Sequence, residues 1–240
     1  MIMDYKTILT DSSVFLKNFK IKNPKLDSEL LLSNSLNISR ENLLVNLNKK
    51  IFFNQYKKFK KLLEKRKKRV PMAYIVGFKY FWKSKFFVNK FVLIPRPETE
   101  LVVEESLKYL PKNKYKKILD IGTGSGCIII SILKERLKSK GVGLDISKNA
   151  IKIAKFNAKL QHVDNRTIFV NTDVDKYNRD KYDLIISNPP YIKKSKLKYL
   201  EKDVAKFEPK LALDGGLDGL TEIRKVIKKS SELIKKNGKF

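Results

Sequence analysis

From Lys116 onward, short runs rich in apolar and β-branched residues alternate with helix-period segments, and this alternation restricts the fold more than any other feature. Residues 118–121 read as a strand, 127–137 as a helix and 142–145 as a strand. Ser147 then caps a helix that sets Ala150, Ile151, Ala154 and Ala158 on one face. Residues 167–170 and 184–187 complete four strands. Strands joined through helices run parallel, which puts helices on both faces of one sheet and ligands at the carboxyl ends of its strands. The fold class is therefore α/β.

Ahead of that sheet the pattern is different. Tyr5, Ile8, Leu9, Ser12, Phe15, Leu16 and Phe19 recur at helical spacing, and Leu26, Leu30, Leu31 and Leu36 repeat it after Pro24. A third helix carries Tyr56, Phe59, Leu62 and Leu63, runs into the basic residues 65–69 as a solvated end, and stops at Pro71. Residues 1–72 are expected to form a helical domain. Residues 73–95 carry aromatic and β-branched clusters broken by Gly77 and Asn89, and are expected to form a β-hairpin linker. Residues 96–240 then hold the sheet. Pro95 and Pro97 fix an extended lead-in to a helix whose first turn carries Glu98 and Glu100, favourable at its positive end. A last helix is expected over residues 221–236. The chain then reaches Asn237-Gly238-Lys239-Phe240 where a fifth strand should begin, so strand 184–187 is expected to be an unpaired apolar edge.

Composition narrows the chemistry. No apolar stretch approaches the roughly 18 to 20 residues that span a bilayer, and the N-terminus lacks a basic region followed by an apolar one, which argues for a soluble cytoplasmic protein with no membrane partner. With one cysteine, Cys127, and one histidine, His162, neither a Cys/His zinc set nor a Ser-His-Asp triad is expected. Cys127 reads as a small packing residue at a helix start. The net charge of +28 suggests attraction to nucleic acid, yet of 53 basic residues only eight are arginine. Specific phosphate recognition favours the arginine fork, so dispersed lysine reads as compositional bias, with non-specific association with ribosomes or RNA as its consequence.

Two motifs carry the functional reading. In Asp120-Ile121-Gly122-Thr123-Gly124-Ser125-Gly126 the glycines let backbone approach a ligand that a Cβ would push away. Asp145, ending the next strand, is placed to hold ribose hydroxyls, and the spacing departs from that of dinucleotide binders. The pair fits a nucleoside without a pyrophosphate, such as S-adenosylmethionine. Asp173, expected to end the third strand, could accept from an adenine amino group while the Val174 N–H serves a ring nitrogen. For each Asp alone, a helix cap or turn is the competing role. The second motif is Asn188-Pro189-Pro190-Tyr191. A nitrogen whose lone pair is delocalised is a poor nucleophile, so an enzyme that methylates it must hold its N–H groups. The Asn188 side-chain oxygen can accept one and the Pro189 carbonyl the other, with Tyr191 packed on the target plane.

The order of Ile94-Pro95-Arg96-Pro97-Glu98-Thr99-Glu100, the glycine turn, Asp145, Asn188 to Tyr191, Phe207-Glu208-Pro209 and Leu211 to Gly219 resembles the HemK/PrmC family of release factor glutamine methyltransferases. Leu26-Asp27-Ser28-Glu29-Leu30-Leu31-Leu32 resembles that family's helical domain, so the likeness covers nearly the whole chain. It implies an N-terminal helical domain that docks the substrate, followed by a Rossmann-like class I S-adenosylmethionine-dependent methyltransferase domain, with the last strands of a seven-stranded sheet missing here. It implies transfer of a methyl group to the glutamine amide of the Gly-Gly-Gln motif in class-one peptide chain release factors. Gly122, Thr123, Gly124, Ser125, Gly126, Asp145, Asp173, Val174 and Asn188 would bind the cofactor. Asn188, Pro189, Pro190 and Tyr191 would hold the amide. Family members often carry an aromatic residue where this chain has Val174, which implies weaker adenine stacking. The tetrapeptide alone is shared with adenine-N6 DNA methyltransferases, so a nucleic-acid methyltransferase and a non-catalytic remnant are the competing readings.

Overall fold

Capping and apolar periodicity build the first helices. In the computed structural model, which describes residues 3–240, the N-terminal unit Met1–Gly77 holds α1 (Tyr5–Asn18), α2 (Pro24–Leu36), α3 (Arg40–Leu44), α4 (Phe53–Lys67) and α5 (Met72–Val76). The first two residues of the expected helical domain lie outside the described residues. Asp4 caps α1 by accepting the Thr7 N–H at 2.8 Å, Pro24 opens α2, and Ser39 caps α3. Ile8, Leu16, Leu31, Leu32, Leu43, Phe59 and Leu63 form the core, beside a buried Arg66–Asp27 ion pair at 2.7 Å. Tyr74, Ile75 and Val76, expected in a hairpin, are helical instead. Ile75 is buried in this helical core, and that packing overrides its β propensity.

The second unit, Phe78–Phe240, opens with the hairpin β1 (Phe78–Phe81) and β2 (Ser84–Phe87), so the hairpin is shorter than expected and belongs to this unit. Then follow a 3-10 turn Pro97–Thr99, α6 (Glu100–Tyr109), β3 (Lys117–Ile121), α7 (Cys127–Glu135), β4 (Lys140–Asp145), α8 (Lys148–Leu160), β5 (Thr167–Asn171), β6 (Tyr182–Ser187), α9 (Lys202–Phe207), α10 (Thr221–Leu233) and β7 (Ile234–Lys239). The strand order is β5-β4-β3-β6-β7, with every pairing parallel. The chain builds outward from β3 through β4 to β5, then returns to place β6 on the other side, so the topological switch point lies between β3 and β6. Such a crevice is where open α/β sheets bind ligands. The period of two along the strands sends Ile118, Leu184 and Ile186 to one apolar layer and Leu119, Ile121 and Ile185 to the other. No helix of the described residues is long and apolar enough to cross a membrane.

Two expectations at the C-terminus are corrected. The last helix ends at Leu233 rather than at residue 236, and β7 pairs with β6, so strand 184–187 is not an unpaired edge. Tyr182 faces Ile234 and Leu184 faces Lys239, which forces a bulge in β7. Gly238 sits in that bulge, where a Cβ would come within 2.6 Å of the Ile234 side chain and 3.0 Å of the Tyr182 carbonyl. Lys235 reaches Asp183 of β6 at 2.8 Å. The lysine-rich run lacks the β-branched texture of a buried strand, and its place in the sheet follows from its pairing with β6.

Candidate active site

The glycine turn crosses the end of β4. Gly122 and Thr123 both donate their N–H to the Leu144 carbonyl, at 2.9 and 2.8 Å. Gly122 and Gly124 have φ of 74° and 56°, in the left-handed region that favours glycine. A Cβ on Gly122 would meet nothing within 4 Å, and one on Gly124 only the Gly122 carbonyl at 3.9 Å, so the turn is open on that side. Gly126 has another task. A Cβ there would lie 2.8 Å from Ile130 and 3.3 Å from Ala154, so its absence lets α8 pack against the start of α7. Thr123 and Ser125 are buried and brace the turn from behind. The Thr123 hydroxyl donates to Asp120 at 2.7 Å, and the Ser125 carbonyl accepts from Asn157 at 2.9 Å. Asn157, fully buried on α8, also exchanges hydrogen bonds with the Phe87 backbone and so ties the hairpin to the turn.

Asp145 ends β4, where one carboxylate oxygen accepts the Gly124 N–H at 2.9 Å and the other the Ser147 N–H at 2.8 Å. Burial pushes its carboxyl above the ordinary range against the pull of these two donors. Each oxygen has a further lone pair, so a diol can still be bound. Asp120 is wholly buried behind the turn. Burial, with the nearby Asp145 charge adding to it, pushes its carboxyl up to about 7, and its Oδ1 finds no hydrogen-bond partner among the described residues. Cys127 is buried beside it, and the same desolvation lifts its thiol to about 12.

Asp173 does not end a strand, since β5 stops at Asn171. It caps a 3-10 turn by accepting the Asp175 N–H at 3.0 Å, the competing role foreseen for it. Val174 starts that turn and packs against the layer containing Leu144 and Ile185, with its N–H ahead of the turn's own bond from Tyr177 to the Val174 carbonyl.

Asn188 leaves the end of β6 across the switch point, where Ser187 is paired with Ile121 and its hydroxyl donates to the Ile121 carbonyl at 2.7 Å. The Asn188 Nδ2 donates to the Thr99 hydroxyl at 3.2 Å. Pro189 and Pro190 are half-buried, and Tyr191 is 66% exposed. Two distant segments support this loop. Ile192 donates to Leu213, Gly215 to Ile192 and Lys194 to Gly216, stitching residues 192–194 to 213–216. Gly215 and Gly219 lie against the Pro190 and Tyr191 backbone, at separations that leave no room for a Cβ. Glu208, nearly fully buried, accepts from the Ile94 N–H at 3.2 Å and pairs with Arg96 at 2.7 Å. The Thr99 N–H in turn donates to the Arg96 carbonyl at 3.0 Å. The segments 94–99, 188–194 and 208–219 thus form one assembly around the Asn188 carboxamide.

Residues 7–77 match the PrmC N-terminal domain and residues 101–218 the methyltransferase small domain. Among curated relatives, the release factor glutamine methyltransferase of Caulobacter vibrioides is 37% identical, covering 94% of this chain and 78% of its own. The chain belongs to the release factor glutamine methyltransferase family. The family protein of Geobacter sulfurreducens is 35% identical, over 99% of this chain and 82% of its own. A bifunctional methyltransferase of Rickettsia typhi is 36% identical over 98% of this chain, which spans about half (49%) of that longer protein. In this member of the release factor glutamine methyltransferase family, residues without a role in the sequence reading include Thr99, Asn157 and Glu208. Thr99 and Glu208 stood in motifs that carried the resemblance, whereas Asn157, a polar residue on the apolar face of α8, was the one available signal of a buried brace.

Proposed function

We propose that this chain transfers a methyl group from S-adenosylmethionine to the side-chain amide nitrogen of the glutamine in the Gly-Gly-Gln motif of class-one peptide chain release factors, acting in the cytoplasm on the machinery of translation termination. The observation that carries the reading is the opposition of two loops across the switch point. The glycine turn with Asp145 lies at the ends of β3 and β4, and the Asn188 loop lies at the end of β6, one strand away.

The residues present fit the cofactor. The open side of Gly122 and Gly124 is a cradle that side chains would fill, and the Asp145 carboxylate keeps lone pairs for ribose hydroxyls. Val174 supplies an aliphatic surface and a helix-start N–H for an adenine ring, with Asp173 as acceptor. When bound, S-adenosylmethionine supplies a methyl group already activated on a sulfonium. The chain's own residues then have a positioning task. The Asn188 Oδ1 and the Pro189 carbonyl accept the two amide hydrogens, which fixes the plane of the NH2 group so that one face of the nitrogen is presented to the methyl group, while Tyr191 packs on the amide. In-line placement at about 3 to 3.5 Å can supply much of the barrier reduction, so no strong base is required: the C–S bond breaks as the N–C bond forms, and the N-methylated amide then releases its surplus proton, which is strongly acidic on that cationic nitrogen, to solvent water. The helical unit docks the release factor, and the lysine-rich surface adds salt-dependent attraction to ribosomes and other polyanions.

The test is Asn188→Ala. The melting temperature and most of the cofactor affinity should hold, while methyl transfer should fall by about 10² or more, since a preorganised acceptor acts on charge that develops in the transition state. Labelled methyl groups should appear in a release factor and not in its Gly-Gly-Gln variant with Gln replaced. Label in adenine-containing DNA and none in the release factor would overturn the assignment.

A further inference from the structure

An asparagine can serve as an acceptor only if its carboxamide is turned the right way. Its oxygen and nitrogen ends are nearly equal in size, and rotation about χ2 exchanges them. Beside a loop that accepts amide hydrogens, the wrong orientation presents Nδ2 donors to the substrate's own N–H groups and holds nothing. A neighbouring group that accepts from Nδ2 holds the useful orientation. Here the Nδ2 donates to Thr99 Oγ1 at 3.2 Å, and Oδ1 makes no hydrogen bond among the described residues.

Thr99 is well held for that task. It closes the 3-10 turn Pro97–Thr99, its N–H is fixed on the Arg96 carbonyl, and Arg96 is anchored by the buried Glu208 carboxylate. Glu208 also holds the Ile94 N–H, so both ends of the short segment before Thr99 are pinned from the far side of the sequence. We propose that Thr99 is a positioning residue for methyl transfer: its hydroxyl holds the Asn188 side-chain nitrogen, so that the oxygen faces the substrate amide. The inference rests on the amide-clamp reading above.

The experiment compares Thr99→Val, which keeps the shape and removes the acceptor, with Thr99→Ser, which restores it. Methyl transfer to the release factor is measured at saturating cofactor, and cofactor affinity by calorimetry. Thr99→Val should lower kcat by about three- to tenfold, the range of one modest hydrogen bond, with cofactor affinity unchanged and Thr99→Ser recovering most of the loss. Thr99→Ala replaces the valine variant if valine impairs folding. In parallel, the Asn188 side-chain NH2 signals, assigned by their loss in Asn188→Ala, are followed by 15N NMR. One proton should exchange slowly in the parent protein and lose that protection in Thr99→Val. Unchanged kcat in Thr99→Val, or a loss that serine does not repair, overturns the proposal. A parent protein that methylates no release factor overturns the function reading instead, and the NMR comparison then decides the Thr99 contact by itself: unaltered Asn188 signals refute it.

Discussion

Gly215→Ala is the sharpest test of the idea that the loop 211–219 supports the amide clamp. The φ of Gly215 is outside the left-handed region, so alanine is conformationally acceptable and would by itself stabilise the chain by about 0.4 to 1 kcal/mol through the unfolded state. What forbids it is space. A Cβ would stand 2.6 Å from the Gly219 carbonyl oxygen, 2.8 Å from Tyr191 Cα and 2.9 Å from the Pro190 carbonyl oxygen. All three are backbone atoms, so no rotamer change relieves the overlap. Restoring ordinary contact separates the two loops by roughly 0.8 Å, since carbon contacts are optimal near 3.5 Å. Overpacking of this kind costs about 1 to 3 kcal/mol. After the unfolded-state gain, a net loss of up to about 2.6 kcal/mol should lower the melting temperature by up to roughly 10 °C in a chain of this size. The functional effect should be larger, because displacement approaching 1 Å at a reacting group can cost about 10²-fold in rate. Transfer to the release factor should therefore fall roughly 30- to 100-fold, with cofactor affinity by calorimetry within about twofold of the parent, because Gly122, Gly124 and Asp145 are untouched. Full transfer activity in a folded Gly215→Ala protein would refute the supporting role. So would a parallel loss of cofactor affinity, since it would mean that the two loops do not act separately.

Asp145→Ala removes the acceptor of the Gly124 and Ser147 N–H groups together with the expected ribose contact, so S-adenosylmethionine affinity should drop about tenfold or more; calorimetry returning the parent value removes Asp145 from the site. Asp120, pushed up to about 7 from an unfolded value of about 3.9, keeps a proton that the unfolded chain releases, so its contribution to stability is complete below about pH 4 and lost as pH rises through 7. Melting temperatures at pH 6 and pH 8 should thus differ more in the parent than in Asp120→Asn, and equal differences would count against the assignment. Cys127, with its thiol lifted to about 12 by burial, should resist a thiol reagent at pH 8 until denaturant is added, and Cys127→Ala should retain transfer; rapid native labelling would contradict this.

The central strands were legible because their texture and their role coincide. Residues 118–121, 142–145 and 167–170 read as apolar strands, and the structure has Lys117–Ile121, Lys140–Asp145 and Thr167–Asn171. Ser147 was legible as a cap, since its hydroxyl accepts the Ala150 N–H at 3.2 Å. Elements whose identity comes from distant packing were not. The run Tyr74-Ile75-Val76 looks like a strand and is a helix because Ile75 is buried among helices. Residues Ile234 to Lys236 look like a helix end and belong to a strand because β6 offers them a partner, while a strand beginning at Asn237 was legible. The site divides the same way. Glycines and acids that end strands can be read from local order, whereas the contacts of Glu208 with Arg96 and of Thr99 with Asn188 join residues that no local pattern connects.

Those contacts also set a timetable. The bond from Gly124 to Asp145 spans 21 residues, so the glycine turn can close once β4 and the α8 residues Ala154 and Asn157 that back it have been made. The clasp between Arg96 and Glu208 spans 112, and the Asn188 loop gains its backing only once Gly215 and Gly219 exist. Loop closure over so long a span carries a larger entropic cost, and at about 5 to 20 residues per second the ribosome delivers the second half of the site several seconds after the first. During synthesis the nascent chain should therefore pass through a state in which the glycine turn and Asp145 have met while the Asn188 loop is still unbacked, with the second loop completed last.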